Sequence, residues 1–427
     1  MTNIFRHVVK KIPGARRYYL KNLYNRYLNK LRKQVPIGNG KKILIINHHF
    51  DQDIDALTNG CSNYCQFFVV DCMPFFNQAL LFFKTDEERD GIIPYDKLPR
   101  AIVTGYRKLC AKLFADLHGV FPFEMIIMPS DSFWWVREFL EVARDHGVTR
   151  VVLDKEGTIS PYSFEKHSAQ IREKFPFMSD NLLVWSERQK QFWIKSGAPE
   201  ECIKIVGQPR SDFFFQKNRW LSREALKLNE FRKHVLYFTF DIDAYINVFP
   251  AEEIEREGYS WLPLRNEIND VLLDFAKQHD DVCITIKVHP QQADIGFMRD
   301  FVEGLNLPNI RLAEGAAISN QLIVNSDLII GFQTTALIES MLIHTPIFYT
   351  GWGQTEQKVR NHLIPFHESS GIEKIGSKAD LMCKLEMWIK GDSVGGELSE
   401  RKAFTDIWLN ADGNVSSRIA EILKMVG

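Results

Sequence analysis

Short apolar runs, each closing on a polar residue, recur along this chain at intervals that leave room for a helix. The first is Lys42-Ile43-Leu44-Ile45-Ile46-Asn47, and similar runs stand at 67–70, 125–128, 151–153, 182–185 and 203–206. A parallel strand reads this way because helices cover both faces of its sheet. Amphipathic stretches at 98–118 and 132–146 lie between the runs. A charged, helix-like stretch near 217–233 then separates this series from a second one, at 234–240, 282–288, 310–312, 328–330 and 347–349. The alternation predicts an α/β protein with two Rossmann-like, doubly wound parallel-sheet domains facing a cleft. The expected parts are a basic amphipathic arm over 1–40, an N-terminal acceptor domain over 41–216, a linker helix over 217–232 and a C-terminal nucleotide-sugar domain over 233–427. A last helix near 414–425 is able to pack back on the N-terminal domain.

Length agrees with two domains, and 45% hydrophobic with 25% charged residues is ordinary globular composition. A net charge of −1 argues against nucleic acid as a partner. That average hides an asymmetry. No Asp or Glu precedes Asp51, whereas Arg6, Lys10, Lys11, Arg16, Arg17 and further basic residues do. Apolar residues interleave with them, so the arm reads either as an interfacial helix on an anionic membrane or as a helix packed on the body. The most apolar stretch, 65–83, is broken by Asp71, Pro74 and Asn77 and does not suit a bilayer. With no signal peptide visible, the expected location is the cytoplasm, with peripheral placement on the inner membrane face. Seven cysteines without a C-x-x-C pair read as reduced thiols. Cys61 and Cys65, four apart, read as buried thiols rather than zinc ligands, and neither metal nor cofactor is expected.

Ligands of open α/β sheets bind beyond the carboxyl ends of the strands, so the residues following each run carry the candidate chemistry. His48, His49 and Asp51 follow the first run and are expected to face an acceptor. Asp154-Lys155-Glu156-Gly157 follows the 151–153 run. Glu156 is the candidate general acid or base, the alternative being a turn in which Asp154 caps the next helix. Arg210, in Gly207-Gln208-Pro209-Arg210, is a candidate anion clamp or a plain turn residue. Asp241 and Asp243 are candidate nucleophile or base, or else solvated loop acids. Lys287 and His289, two apart before Pro290, are expected on one side of a strand end, where two cations suit an anionic leaving group. Gly331-Phe332-Gln333-Thr334-Thr335 opens a helix carrying Glu339. The turn suits phosphate and Glu339 a ribose hydroxyl, the plain alternative being helix capping by a threonine. Without a Walker pattern or a G-x-G-x-x-G, kinase and dehydrogenase readings lose support.

Glu156-Gly157, then His289-Pro290, then Thr334-Thr335, in that order, resemble bacterial GT-B transferases that use CMP-activated sugar acids. These are the sialyltransferases and the Kdo transferases of capsule and O-antigen synthesis, with 153–209 most similar to the Kdo branch. The resemblance covers roughly residues 150–350 through short motifs. It implies a metal-independent glycosyltransferase of lipopolysaccharide or capsule biosynthesis, moving Kdo (3-deoxy-D-manno-oct-2-ulosonic acid) from CMP-Kdo to a lipid-linked glycan at the inner membrane. Lys287, His289, Thr334 and Thr335, with Gln333, Glu339 and Arg210, would hold the nucleotide sugar. Glu156 would activate the acceptor, and Asp241, or next Asp243, would form the covalent adduct of a retaining reaction. Lys155 departs from the sialyltransferase pattern, which often has a second acid there. Lys287-x-His289-Pro290 also resembles the CDP-glycerol and CDP-ribitol phosphotransferases of teichoic-acid type. A non-catalytic GT-B scaffold is the alternative from outside enzymology.

Overall fold

A computed structural model describes residues 13–89, 93–155, 157–246, 249–289, 292, 294–315 and 318–426, with side chains from Asn22 onward. The chain divides into two compact units. Unit 1 comprises 1–157, 165–210 and 414–427, and unit 2 comprises 158–164 and 211–413.

Unit 1 is built on seven strands, β1 (Ile37–Gly38), β2 (Lys41–Asn47), β3 (Cys65–Asp71), β4 (Met125–Met128), β5 (Thr149–Leu153), β6 (Asn181–Val184) and β7 (Ile203–Ile205), in the order β1-β3-β2-β4-β5-β6-β7. All pairings are parallel except the two-residue edge strand β1, which runs antiparallel to β3. Ile43, Leu44, Ile45 and Ile46 are fully buried, as a strand covered on both faces requires. The helix Val415–Met425 closes this core, with Val415, Ile419, Ala420 and Leu423 packed among Ile43, Ile45, Leu57 and Phe67. Lys41 Nζ also donates to the carbonyls of Leu423 and Val426 at that helix's end.

Unit 2 holds β8 (Lys233–Phe238), β9 (Val282–Lys287), β10 (Ile310–Ala313), β11 (Leu328–Gly331), β12 (Ile347–Thr350) and β13 (Glu373–Ile375), all parallel, in the order β10-β9-β8-β11-β12-β13. This is the Rossmann order, with two strands laid out on one side of the first and three on its other side. Helix Leu262–Gln278 covers part of the sheet. Pro263 sits in its first turn, where no amide hydrogen is needed. Its Ile268, Val271, Leu272 and Phe275 are buried.

Two expectations change. Residues 217–232 form no α-helix; a 3-10 turn at Lys217–Arg219 is followed by turns. Arg223 organises them by donating to the carbonyls of Leu228 and Phe231 and pairing with Asp327 at 3.0 Å, so tertiary bonds override the helical charge pattern. The described part of the basic arm is a helix, Pro13–Leu31, that packs on unit 1. Leu28 and Leu31 are buried, Tyr24 Oη donates to Asp116 at 3.2 Å, and Tyr27 Oη accepts from the Asp71 amide at 2.8 Å. Among the described residues no helix is long and apolar enough to cross a membrane.

Candidate functional site

In each sheet the strand order reverses once, between β2 and β4 in unit 1 and between β8 and β11 in unit 2. The loops leaving two such strands diverge to opposite faces and leave an opening at the carboxyl edge, where ligands of these folds bind.

In unit 2 the opening is flanked by the loop after β8, with Asp241 and Asp243, and the turn after β11, with Phe332 through Thr335. Phe240 and Phe332 meet across its floor with centroids 5.0 Å apart, and Trp261 packs on Phe332 at 4.5 Å. Asp241 is half-buried and accepts from the Asp243 amide at 3.2 Å, whereas Asp243 is exposed. Thr334 caps the six-residue helix Thr335–Ser340, its hydroxyl accepting from the Ala336 amide at 3.3 Å. The Thr335 hydroxyl meets that of Thr158 at 3.3 Å. Gln333 is buried and turned inward. It donates to Tyr349 Oη at 2.9 Å and the Ile364 carbonyl at 3.0 Å, and accepts from the Ile364 amide at 2.7 Å. Glu339 is buried in the same short helix.

One strand out, Lys287 ends β9 and is 2% exposed. Among the described residues its one hydrogen bond is to the Val288 carbonyl at 2.7 Å. Burial pushes its ammonium down to about 8, with the charge of Glu314 opposing. His289 lies beyond the strand and is exposed. Lys287 is buried and His289 exposed although the ladder runs on to the Val288 amide, which donates to the Ala313 carbonyl at 3.1 Å, so the two candidate cations differ in environment.

The unit 1 opening gathers a different set. His48 follows β2, its Nδ1 3.2 Å from Cys72 Sγ after β3. Its ring meets Phe133 at 4.9 Å and Trp135 at 5.7 Å, both after β4. Burial, then the charge of Lys155 after β5, then His49, push the imidazole down to about 4, so it is neutral at physiological pH. Burial raises the Cys72 thiol to about 11, which leaves it protonated and unreactive. His49 is exposed and held at a φ of 52°, and Asp51 accepts from Asn47 at 2.7 Å while opening helix Asp51–Cys61.

Other candidates have structural employment. Arg210 pairs with buried Asp53 at 3.0 Å and lies over the Trp185 ring at 5.1 Å, so its guanidinium is engaged within unit 1. Asp154 is buried and accepts from Gln189 at 2.8 Å and the Trp193 indole at 2.5 Å. Glu156 lies outside the described residues. Its neighbour Gly157 is glycine for a packing reason, since a Cβ there would stand 2.2 Å from the Trp185 ring. Cys61 and Cys65 are buried core residues. Among the described residues no group of three or more His, Cys, Asp or Glu is placed to hold a metal ion. The Lys155 approach to His48 and the inward turn of Gln333 had no signal in the sequence, because each depends on contacts between distant strands.

No known protein family matches this sequence, and no curated protein does. Solved structures do match in fold. A UDP-N-acetylglucosamine 2-epimerase is similar with a TM-score of 0.53 at 11% identity, over 90% of this chain and 95% of its own. The S. aureus MnaA structure with UDP is similar with a TM-score of 0.51 at 12% identity, over 90% and 96%. The UDP-GlcNAc 2-epimerase of Methanocaldococcus jannaschii has a TM-score of 0.50 at 14% identity, over 91% and 100%. At such identity the likeness establishes the fold, a GT-B-like pair of Rossmann-like units. It also corrects the resemblance drawn from short motifs. Two of these neighbours are described as UDP-N-acetylglucosamine 2-epimerases and the third was solved with UDP; none is described as a CMP-sugar-acid transferase. The Kdo and sialyltransferase assignment falls with that, and so do the CMP-Kdo donor, the lipid-linked glycan acceptor and the O-antigen, capsule and lipopolysaccharide roles. The polyol-phosphate transferase alternative finds no better match. The membrane-binding arm gives way to a helix packed on the protein.

Proposed function

We propose that this chain binds a UDP-sugar at the carboxyl edge of the unit 2 sheet and acts on it as an enzyme of the UDP-N-acetylglucosamine 2-epimerase type. Lys287 carries the reading. A buried ammonium with hydrogen-bonding capacity left over, at a strand end, is costly unless something anionic uses it. A diphosphate is suited to that position, with the Thr334 and Thr335 hydroxyls and the Asp241 carboxylate bordering the neighbouring switch point. Support for uridine over cytidine comes from the neighbours, one of which was solved with UDP.

Inverting the carbon beside the anomeric centre replaces one C–H bond with another on the opposite face. A base takes the C2 proton as the C1–O bond to the diphosphate breaks, giving a C1=C2 double bond and UDP; an acid in exchange with solvent then delivers a proton to the other face of C2 as UDP re-adds at C1. Asp241 and His289, beyond strand ends of unit 2, and Glu339 in the helix after β11 are titratable groups of that unit suited to these roles. Seven free thiols suit a reducing compartment, which supports a cytoplasmic enzyme.

The test is incubation with UDP-N-acetylglucosamine in D2O, followed by proton NMR. Deuterium at C2 and appearance of the manno epimer are expected, and both should be lost in Lys287→Met. In a thermal-shift assay UDP should stabilise the protein more than CMP. UDP binding without C2 exchange would mean a non-catalytic nucleotide-sugar module. No response to UDP, or a larger one to CMP, would overturn the reading.

A further inference from the structure

The loops after β8 and β9 carry Asp241 and His289, just past the ladder bonds from the Thr239 amide to the Lys287 carbonyl and from the Val288 amide to the Ala313 carbonyl, both 3.1 Å. Trp261 holds the first loop through its amide on the Ile242 carbonyl at 2.9 Å and its indole on the Ala244 carbonyl at 2.5 Å, and a support common to both loops lies beneath. Arg265, on the first turn of helix Leu262–Gln278, is 2% exposed, and its guanidinium reaches both loops. One amino group donates to the Phe240 carbonyl at 3.4 Å, next to Asp241. The other donates to Asp294 at 2.6 Å. Gln292 is buried in the second loop and donates to the other oxygen of Asp294 at 2.8 Å, while its own amide donates to the His289 carbonyl at 3.0 Å. Burial works against the Asp294 charge, but hydrogen bonds from Arg265 and Gln292 and the arginine's charge outweigh it, and the carboxyl titrates below its ordinary range.

Around this fork lie polar atoms with no hydrogen-bond partner among the described residues: Arg265 Nε, Tyr237 Oη, Thr239 Oγ1, Asn269 Oδ1 and Gln292 Oε1. All five residues are at least nine-tenths buried. Tyr237 and Thr239 alternate along one side of the β8 line, and Asn269 is one helical turn from Arg265. The Tyr237 and Thr239 hydroxyls are near enough to influence each other without the geometry of a hydrogen bond. A dry core would not keep five such atoms together, and donors and acceptors in this arrangement are what ordered water satisfies.

We propose that Arg265 is a positioning residue that, from within a hydrated polar chamber, sets the geometry of the two loops bearing Asp241 and His289. The functional part of this claim rests on the UDP-sugar reading; the mechanical part does not. The planar fork is essential, because only two separated donors on one rigid group can hold Phe240 and Asp294 at once. Lysine keeps the charge and loses the span.

The experiment is amide hydrogen exchange on the full chain without ligand, comparing wild type with Arg265→Lys and with the near-isosteric Asp294→Asn, which leaves the arginine in place should its replacement fail to fold. The amides of Asp243, Ala244, Ile246 and Gln292 should exchange at least tenfold faster in either variant, with β8 through β12 keeping their protection. UDP affinity should fall about tenfold. If loop exchange is unchanged, or rises equally across unit 2, Arg265 is a plain structural residue and the proposal fails. Wild-type protein that ignores UDP would instead sink the UDP-sugar reading, and the exchange contrast would still decide whether the fork holds the loops.

Discussion

The two units share an architecture and differ in what they bury at the carboxyl edge of the sheet. At that edge unit 1 pairs Arg210 with Asp53 at 3.0 Å and gives Asp154 both Gln189 and Trp193 as donors, although buried atoms without a partner among the described residues occur in both units, Arg137 Nε and Arg150 Nη1 among those of unit 1. At its opening His48 is neutral and packed by aromatic side chains. Unit 2 buries Lys287 with one carbonyl partner, and beside it a fork whose surroundings are incompletely bonded. Closed polar sets serve the fold; open ones are tolerated where a ligand or water completes them. At the strand ends themselves the contrast assigns stability to Asp154 and Arg210 of unit 1 and anion binding to Lys287 of unit 2.

The largest effect that tests this division is in unit 1. Asp154→Ala leaves the Gln189 amide and the Trp193 indole without an acceptor, at roughly 1–3 kcal/mol for each orphaned donor. About 3 kcal/mol of stability should disappear in chemical denaturation, with UDP affinity unchanged. A loss of UDP binding at constant stability would break the comparison. Next, Lys287→Met should do the opposite. It removes an uncomfortable buried charge, so stability should hold or rise, while UDP binding weakens about 10–100-fold, the worth of one charge-assisted bond of roughly 1.5–3 kcal/mol.

A pH series sharpens the same point. The folded Lys287 gives up its proton near 8, below its ordinary 10.5. Between those values the unfolded chain binds more protons than the folded one, so this group's contribution to stability rises with pH across the window. Anion binding moves the other way. UDP affinity should decline as pH climbs through 8, and titration calorimetry on Lys287→Met should show that slope flattened. The smallest effect is expected at Asp243, which is exposed: Asp243→Asn should stay within about 0.5 kcal/mol of wild type. A large change in turnover there would move the chemistry outward from Asp241.

Much of the fold was legible because parallel strands announce themselves as apolar runs ending in polar residues. The runs at 42–47, 125–128, 282–288 and 328–330 fall on β2, β4, β9 and β11. Their ends led to Lys287, Asp241 and His48. The family resemblance failed because its motifs are things any such edge carries. Gly157 answers to Trp185, and Thr334 caps a helix. Residues 217–232 carry helical charge spacing, but Arg223 draws them into turns. Arg265 and Asp294 were invisible for a related reason: 29 positions apart, they meet only once a helix has packed across two strands. Buried polar partners of that kind leave no periodicity to read.

The helix that completes the core of unit 1 lies beyond the whole of unit 2 along the chain. During synthesis the β2 neighbourhood must therefore wait, with Leu57 and Phe67 lacking their last cover, until residue 423 has emerged. Unit 2 is finished by then and is free to fold first. A free chain ending at residue 413 would hold one completed half and one whose core lacks its last helix and that chaperones would still have to shield.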